Sequence, residues 1–183
     1  MSAKLWFILF IGVVVMSSNV QAVDKDEAEI RNAINGFSVF ADHGAFSYLA
    51  RVLAPEVELD YRSIFGGEPE RVQRIDLMKR WMAFLPGFDK TFHNLSSIQV
   101  SIEGSRANAA ANFTASHWLG QEGYWSIDGQ YRFGLIRLDG HWLIDSVVVE
   151  LQREEGSREI LQQAPSLAGA KHRLRQSLLP NEL

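Results

Sequence analysis

The hydrophobic pattern of this chain changes its period once, near Thr91, and that change restricts the class of fold. Before it, apolar residues recur at three- and four-residue steps, as on the buried face of an amphipathic helix. After it, apolar and polar residues alternate along four long stretches. Helices followed by a run of antiparallel strands form an α+β layout, in which a curved sheet can wrap around the helices and leave a conical pocket.

The first half of the chain predicts three helices and one strand. The first helix covers Asp26–Phe40, a short second one is ended by Pro55, and the third covers Leu77–Leu85. Alternation predicts a strand over Val57–Tyr61, and the glycines and proline of residues 66–69 predict a loop.

The second half predicts a meander of four strands joined by glycine-containing turns. We expect a linker or frayed tail after Gln163, and a solvated role for the basic cluster of residues 171–175. The predicted strands are Phe92–Ile102, Arg106–Leu119, Gly123–Leu138 and His141–Leu151.

The N-terminus has the tripartite pattern of a secretory signal peptide. Lys4 precedes the apolar run Leu5–Met16, and small residues at Val20 and Ala22 suit a signal peptidase. The run is shorter than the ~20 residues of a spanning helix, so we expect no stable membrane insertion after cleavage. The pattern predicts a signal peptide over residues 1–22 and an exported protein, periplasmic or secreted. One domain over residues 23–155 and a C-terminal helix or tail over residues 156–183 then follow.

Charge and cysteine content exclude several classes of function. The net charge of −4 argues against a nucleic-acid partner, which requires a concentrated basic patch. The chain has no cysteine, so thiol catalysis, thiolate metal sites and a disulfide framework are excluded.

Four polar residues lie within otherwise apolar stretches: Asp42, Tyr61, His93 and His117. A carboxylate, a phenol and two imidazoles from four separate elements are the components of an acid/base site. Each also has an ordinary structural explanation, since Asp is common near turns and a strand histidine is more often a hydrogen-bonded core or surface residue. Alternation favours an inward His117 but leaves the orientation of His93 open. A metal site of two histidines and one carboxylate is disfavoured, because no close His–His spacing supports it.

These residues also carry a family resemblance. The runs Asp42-His-Gly-Ala-Phe46, Leu53-Ala-Pro55, Leu59-Asp-Tyr-Arg-Ser63 and Thr91-Phe-His93 resemble the scytalone dehydratase branch of the SnoaL-like (NTF2-like) superfamily. The similarity extends from about Glu27 to about Leu151. It implies an NTF2-like cone, in which three N-terminal helices pack on a curved antiparallel or mixed sheet and enclose a pocket.

The resemblance also implies roles for single residues. Asp42, Tyr61, His93 and His117 match the family's catalytic Asp, one of its two Tyr, and its two His. The second Tyr is Ala41 here, and the positions of the family's Ser and Asn fall near Gly129 and Tyr131. The proton-handling residues are therefore present, whereas those that grip scytalone are not. The pocket residues that we predict are Phe65, Trp118, Tyr131 and Phe133.

The sequence therefore predicts a cofactor-free, metal-free lyase or isomerase of the dehydratase or ketosteroid-isomerase type. An Asp–His dyad would abstract a proton next to a carbonyl of a small hydrophobic or carbonyl-containing molecule. The alternative is a non-catalytic small-ligand-binding or association domain. It would be favoured if His93 and His117 faced opposite sides of the sheet. From the resemblance we expect a homo-oligomer, a dimer or a trimer formed through the outer face of the sheet.

Overall fold

The computed structural model describes residues 25–178, and the predicted signal peptide over residues 1–22 lies outside them. Single turns of 3-10 helix lie at Ala50–Val52 and Leu85–Gly87. Within the described residues, no helix is both long and apolar enough to span a membrane. The main elements in chain order are α1 (25–42), α2 (Phe46–Leu49), β1 (Leu53–Asp60), α3 (Arg62–Phe65), β2 (Glu70–Gln73), α4 (Arg74–Met82), β3 (Lys90–Glu103), β4 (Arg106–Leu119), β5 (Gly123–Leu138), β6 (His141–Gly156) and α5 (Glu159–Leu178).

The strands form one six-stranded sheet in the order β2-β1-β6-β5-β4-β3. β1 and β6 are parallel and the other neighbours are antiparallel, so the sheet is mixed. Its inner face packs against α1, whose residues Ile30, Ile34 and Phe37 are buried in the core. Burying an apolar side chain of this size contributes about 1.5–3 kcal/mol. The predicted α+β cone with helices on a curved sheet is confirmed.

β3 contains a bulge that changes which residues face inward. Ser96 pairs with Asn112 and Gln99 pairs with Ala110, so β3 has one residue more than β4 over this stretch. Ser97 takes up the extra residue in a left-handed conformation, with φ 53°. His93 lies on the inner face, together with Thr91 and Leu95. After the bulge the inward positions shift by one residue, so strict alternation along the whole strand cannot assign the face of His93.

The start of β1 corrects the prediction that Pro55 ends a helix. β1 begins at Leu53 and continues through Pro55. Its register with β6 shifts between Leu53 and Glu58, and its pairing with β2 begins at Glu56. The missing N–H of Pro55 therefore falls where the ladder is interrupted, which is where a strand tolerates proline.

α4 and β2 also differ from the prediction. α4 begins at Arg74 and ends at Met82, whereas the predicted helix covered Leu77–Leu85. The strand β2 over Glu70–Gln73 was not predicted, because its single buried residue gives no pattern to read. Such short edge strands are specified by their partner rather than by their own sequence.

The prediction of a linker or frayed tail after Gln163 is wrong, because α5 continues as a helix to Leu178. Ile160, Ala164 and Ala168 recur at four-residue steps and are buried. The helix approaches so closely that a Cβ at Gly87 would lie 1.9 Å from the carbonyl oxygen of Ala164. Two of the three buried residues are alanines, so the packed face has little hydrophobic signal in the sequence.

The basic cluster at the end of α5 is attached to the domain rather than fully solvated. Lys171 Nζ lies 2.6 Å from Asp89 Oδ1. Arg175 donates to the carbonyl oxygen of Phe88 at 2.5 Å. Together with the buried alanines, these contacts hold α5 against the start of β3.

Candidate active site

Asp42 is the last residue of α1, and its carboxylate is held by donors from β3. Oδ1 accepts from the Thr91 hydroxyl at 2.8 Å and lies 2.6 Å from His93 Nδ1, while Oδ2 accepts the His93 backbone N–H at 2.7 Å. A negative charge at a helix C-terminus is unfavourable on its own. The three donors compensate for that position and orient the carboxylate toward the imidazole.

Burial and hydrogen bonding have opposite effects on the pKa of Asp42. Burial alone would raise the pKa of Asp42, but the hydrogen bonds and charge of His93, with the Thr91 hydroxyl, lower the pKa below its usual value. The Asp42 side chain is only 9% exposed and that of His93 13%. An ionised carboxylate accepts a proton-bearing Nδ1, so Nε2 of His93 is left as the ring nitrogen directed away from Asp42.

His117 lies on β4 beside His93 but in different surroundings. The two ring centroids are 5.5 Å apart, and His117 is 4% exposed between Phe88 and Trp125, whose ring centroids lie 4.9 and 5.0 Å away. Burial, and next the charge of His93, lower the pKa of His117 to about 3. Its Nδ1 is buried without a hydrogen-bond partner. His117 is thus a neutral imidazole at ordinary pH.

Two phenols complete the polar part of the site. Tyr61 follows β1 and precedes α3, and Tyr131 lies on the inner face of β5. Burial raises the pKa of both hydroxyls above the ordinary value for tyrosine. Both therefore stay protonated and can donate hydrogen bonds.

A cavity of about 130 Å³ connects these groups. It lies between α1, α3, α4 and the inner face of β3–β5. His93, His117, Tyr61 and Tyr131 all line it, and Asp42 lies behind His93. Among the described residues, no Asp, Glu, Lys or Arg lines the cavity. The apolar part of its wall includes Phe37, Ile64, Trp81, Phe84, Leu85 and Trp125.

Two of the four predicted pocket residues, Phe65 and Tyr131, line this cavity, and the other two do not. Trp118 lies on the opposite face of β4 from His117, where its ring contacts Tyr124 and the ammonium of Lys90. Phe133 lies behind the wall, in ring contact with Tyr131. Trp118 and His117 are neighbours on β4 and therefore lie on opposite faces of the strand. Phe133 is buried in the core and does not reach the cavity.

One lining residue was missed by the sequence prediction. Ser38 is 2% exposed, lines the cavity from α1, and its Oγ has no hydrogen-bond partner. It lies one helical turn before Asp42 and one turn after Ile34, on the buried face of α1. A serine on an otherwise apolar helix face was the signal that could have found it. Ala41, at the position of the family's second Tyr, also lines the cavity.

The carboxylate of Asp42 already accepts hydrogen bonds from neighbouring groups. Both oxygens of Asp42 are taken up by donors from Thr91 and His93. Residues 25–178 contain no group of three His, Asp or Glu side chains that could hold a metal ion.

Comparison of the fold identifies similar solved structures. The Kfla4162 protein of Kribbella flavida is 25% identical with a TM-score of 0.70, over 80% of this chain and 99% of that one. A protein of Novosphingobium aromaticivorans assigned as a scytalone dehydratase is 20% identical with a TM-score of 0.63, over 76% of this chain and 91% of that one. The hexachlorocyclohexane dehydrochlorinase of Novosphingobium barchaimii is 13% identical with a TM-score of 0.61, over 77% and 95%.

Sequence comparison gives the family directly. A search of curated proteins finds no match. The family model described as a SnoaL-like domain matches residues 24–148, which include all four predicted acid/base residues and most of the sheet. This chain belongs to the SnoaL-like domain family, with an NTF2-like fold.

Proposed function

We propose that this protein is a cofactor-free lyase or isomerase that abstracts a proton from a carbon next to a carbonyl group. The observation that carries the proposal is the 2.6 Å contact between Asp42 and His93 at the edge of an apolar cavity. A carboxylate that accepts a hydrogen bond from an imidazole fixes its tautomer and orientation and stabilises the imidazolium that forms on proton transfer. Fold similarity alone does not choose among the activities that such a scaffold supports.

In this proposal Nε2 of His93 is the general base. It takes the proton from the carbon, the electron pair of the C–H bond forms the enolate, and Asp42 stabilises the resulting imidazolium. In an isomerase the proton returns to another carbon. In a dehydratase a hydroxyl group on the next carbon leaves as water with that proton, and the enolate electrons form the new double bond.

The negative charge on the enolate oxygen requires donors. Tyr61 stays protonated because burial raises the pKa of its phenol, so it can donate to the oxygen. His117 is a poor base with a pKa of about 3, but a neutral imidazole can donate a hydrogen bond to a carbonyl oxygen. We therefore assign His93 to proton transfer and His117 to stabilisation of the oxygen.

The alternative, a non-catalytic binding domain, would be favoured if the two imidazoles faced opposite sides of the sheet. Their ring centroids are instead 5.5 Å apart and both rings line one cavity. Ligand binding alone does not require a largely buried carboxylate beside an imidazole, since burying a charge is costly. This arrangement supports the enzyme proposal over the binding proposal.

The test is hydrogen–deuterium exchange at carbon, which reports proton abstraction without knowledge of the natural substrate. Uncharged ketones of one to four rings are incubated with the purified protein in D₂O, and deuterium uptake next to the carbonyl is followed by mass spectrometry. We expect exchange above the buffer rate for at least one ketone. We expect the His93→Gln protein to show none. If the folded wild type exchanges no ketone, while it binds one, the binding domain is the correct description.

We also propose that the protein is exported and forms a homo-oligomer through the outer face of its sheet. The apolar run Leu5–Met16 before Ala22 supports export. The mass of the protein in a periplasmic or secreted fraction tests it, and an intact N-terminus on all of the protein would contradict it. Light scattering of the purified protein gives the oligomeric state, and a monomer at micromolar concentration would contradict the second part.

A further inference from the structure

We propose that Ser38 is a substrate-binding residue that donates a hydrogen bond to an oxygen of an uncharged, single-ring-sized substrate. This inference rests on the proposed function for the place where the substrate lies. It names one further residue of the site and limits the size and charge of the ligand that the site binds.

Ser38 is unusual because its hydroxyl is buried without a partner. A serine inside a helix commonly donates to the carbonyl oxygen four residues earlier, which for Ser38 is that of Ile34. That bond is not formed, and Oγ remains unsatisfied on a residue that is 2% exposed and lines the cavity. Leaving a buried hydroxyl unsatisfied is unfavourable, and an oxygen of a bound ligand would remove that cost.

A second unsatisfied atom belongs to another residue that lines the same cavity. Nδ1 of His117 is also buried without a hydrogen-bond partner. Ser38 lies on α1 and His117 on β4, so the two groups come from different walls of the site. Their positions suit a ligand with polar atoms at its rim and apolar carbon between them.

The cavity volume limits the size of the ligand. The cavity measures about 130 Å³. An apolar protein cavity of about 150 Å³ holds one benzene molecule. One six-membered ring therefore fills this volume, and a second fused ring exceeds it.

The charge of the lining limits the ligand further. Across the part of the chain that the structure describes, the cavity wall contains no Lys or Arg to pair with a carboxylate or phosphate. Transfer of an unpaired anion into such a site is strongly unfavourable. The ligand is therefore uncharged and bears oxygen as a carbonyl or hydroxyl group.

A set of matched ligands tests these three properties separately. Cyclohexanone and methylenecyclohexane have the same shape and differ in the oxygen, cyclohexanecarboxylate adds a charge, and decalone adds a second ring. Dissociation constants are measured by ligand-detected NMR for the wild type, Ser38→Ala and Ser116→Ala. Ser116 is the control because it is also buried but its hydroxyl already pairs with Ser126 at 3.0 Å.

We expect the wild type to bind cyclohexanone most tightly of the four. Ser38→Ala should weaken cyclohexanone about 3- to 10-fold, the worth of one hydrogen bond, and leave methylenecyclohexane unchanged. Ser116→Ala should change neither. The ligand-free Ser38→Ala protein should melt no lower than the wild type, because it loses an unsatisfied hydroxyl rather than a bonded one.

Three results would overturn the inference: equal loss of both uncharged one-ring ligands in Ser38→Ala, no loss of either, or preferred binding of decalone or the carboxylate. These binding measurements do not depend on turnover. Binding of cyclohexanone through Ser38 without deuterium exchange would overturn the proposed function alone. Exchange that does not depend on Ser38 would overturn this inference alone.

Discussion

The surroundings of His93 and His117 differ although the two rings are neighbours. His93 is held by the Asp42 carboxylate, whereas His117 lies between Phe88 and Trp125 with Nδ1 unsatisfied. Two imidazoles whose ring centroids are 5.5 Å apart therefore differ in their chemical environment. The carboxylate fixes the tautomer of His93, whereas burial among aromatic rings disfavours protonation of His117, so one imidazole suits proton transfer and the other hydrogen-bond donation.

The difference also depends on the pair itself. After burial, the charge of His93 is the next cause of the lowered pKa of His117. A proton on His93 therefore makes a proton on His117 less favourable. The two imidazoles cannot be described as independent sites.

Replacement of His93 should have the largest effect. We expect His93→Gln to lower kcat/KM at least 100-fold, because general acid–base catalysis contributes about 10²–10⁴-fold. Turnover of whichever ketone shows deuterium exchange gives the measurement. His43→Gln is the matched control, since His43 is exposed, its Nδ1 lies 2.8 Å from the Val39 carbonyl oxygen, and it does not line the cavity. Comparable activity of the two variants would remove His93 from the mechanism.

Replacement of Asp42 should cost stability with a defined pH dependence. We expect Asp42→Asn to lower the free energy of unfolding at pH 7 by about 1.5–3 kcal/mol, the worth of a hydrogen bond to a charged group. The folded pKa of Asp42 is lowered, so its stabilisation is present above the unfolded pKa of about 3.9. It is lost as the pH falls through the folded value.

Urea denaturation at several pH values measures this difference. The gap between wild type and Asp42→Asn should be widest near neutrality and narrow below about pH 4. Asp76→Asn, which removes an exposed carboxylate, is the control and should show a small effect at all pH values. A gap that widens toward low pH would contradict the assignment of Asp42 as the ionised partner.

Replacement of His117 should remove an effect of similar size in a different pH window. The folded pKa is about 3 and the unfolded value is about 6.5, so the unfolded chain binds the extra proton between them. Stability contributed by the neutral ring is complete above about pH 6.5 and falls toward pH 3. At pH 5 the loss is about 2 kcal/mol, from 1.36 kcal/mol per pKa unit.

His117→Phe should therefore show a flatter decline of stability between pH 7 and 5 than the wild type. The same denaturation series gives the result, with His43→Gln as the control that keeps the steeper wild-type decline. Parallel curves for wild type and His117→Phe would show that His117 titrates normally in the folded protein.

The sequence predicted the long strands better than the parts that depend on distant partners. Alternation and turn residues were sufficient for β4 and β5, because those strands are long and one face is buried. The bulge at Ser97 was not predictable, since a single extra residue leaves no mark on the composition of β3. The part of α5 after Gln163 was not predicted as helix, because its buried residues Ala164 and Ala168 give little hydrophobic signal.

Some features of the candidate site were visible in the sequence and others were not. The resemblance singled out Asp42, Tyr61, His93 and His117, and the structure places all four around one cavity. The prediction left open which imidazole pairs with Asp42, because that depends on how β3 meets the end of α1. Ser38 was missed for a related reason. The sequence cannot show that the Ser38 hydroxyl has no hydrogen-bond partner, because that depends on the three-dimensional positions of the groups around it.

The bulge in β3 has a consequence for redesign of this protein. Before Ser97, His93 lines the cavity, whereas after it Val100 packs against the core. The irregular residue separates the two halves, so a change of alternation in one half need not shift the other. An engineer could therefore vary the cavity half of β3 for new ligands while the core half keeps its packing, which makes this strand a natural boundary for combinatorial libraries.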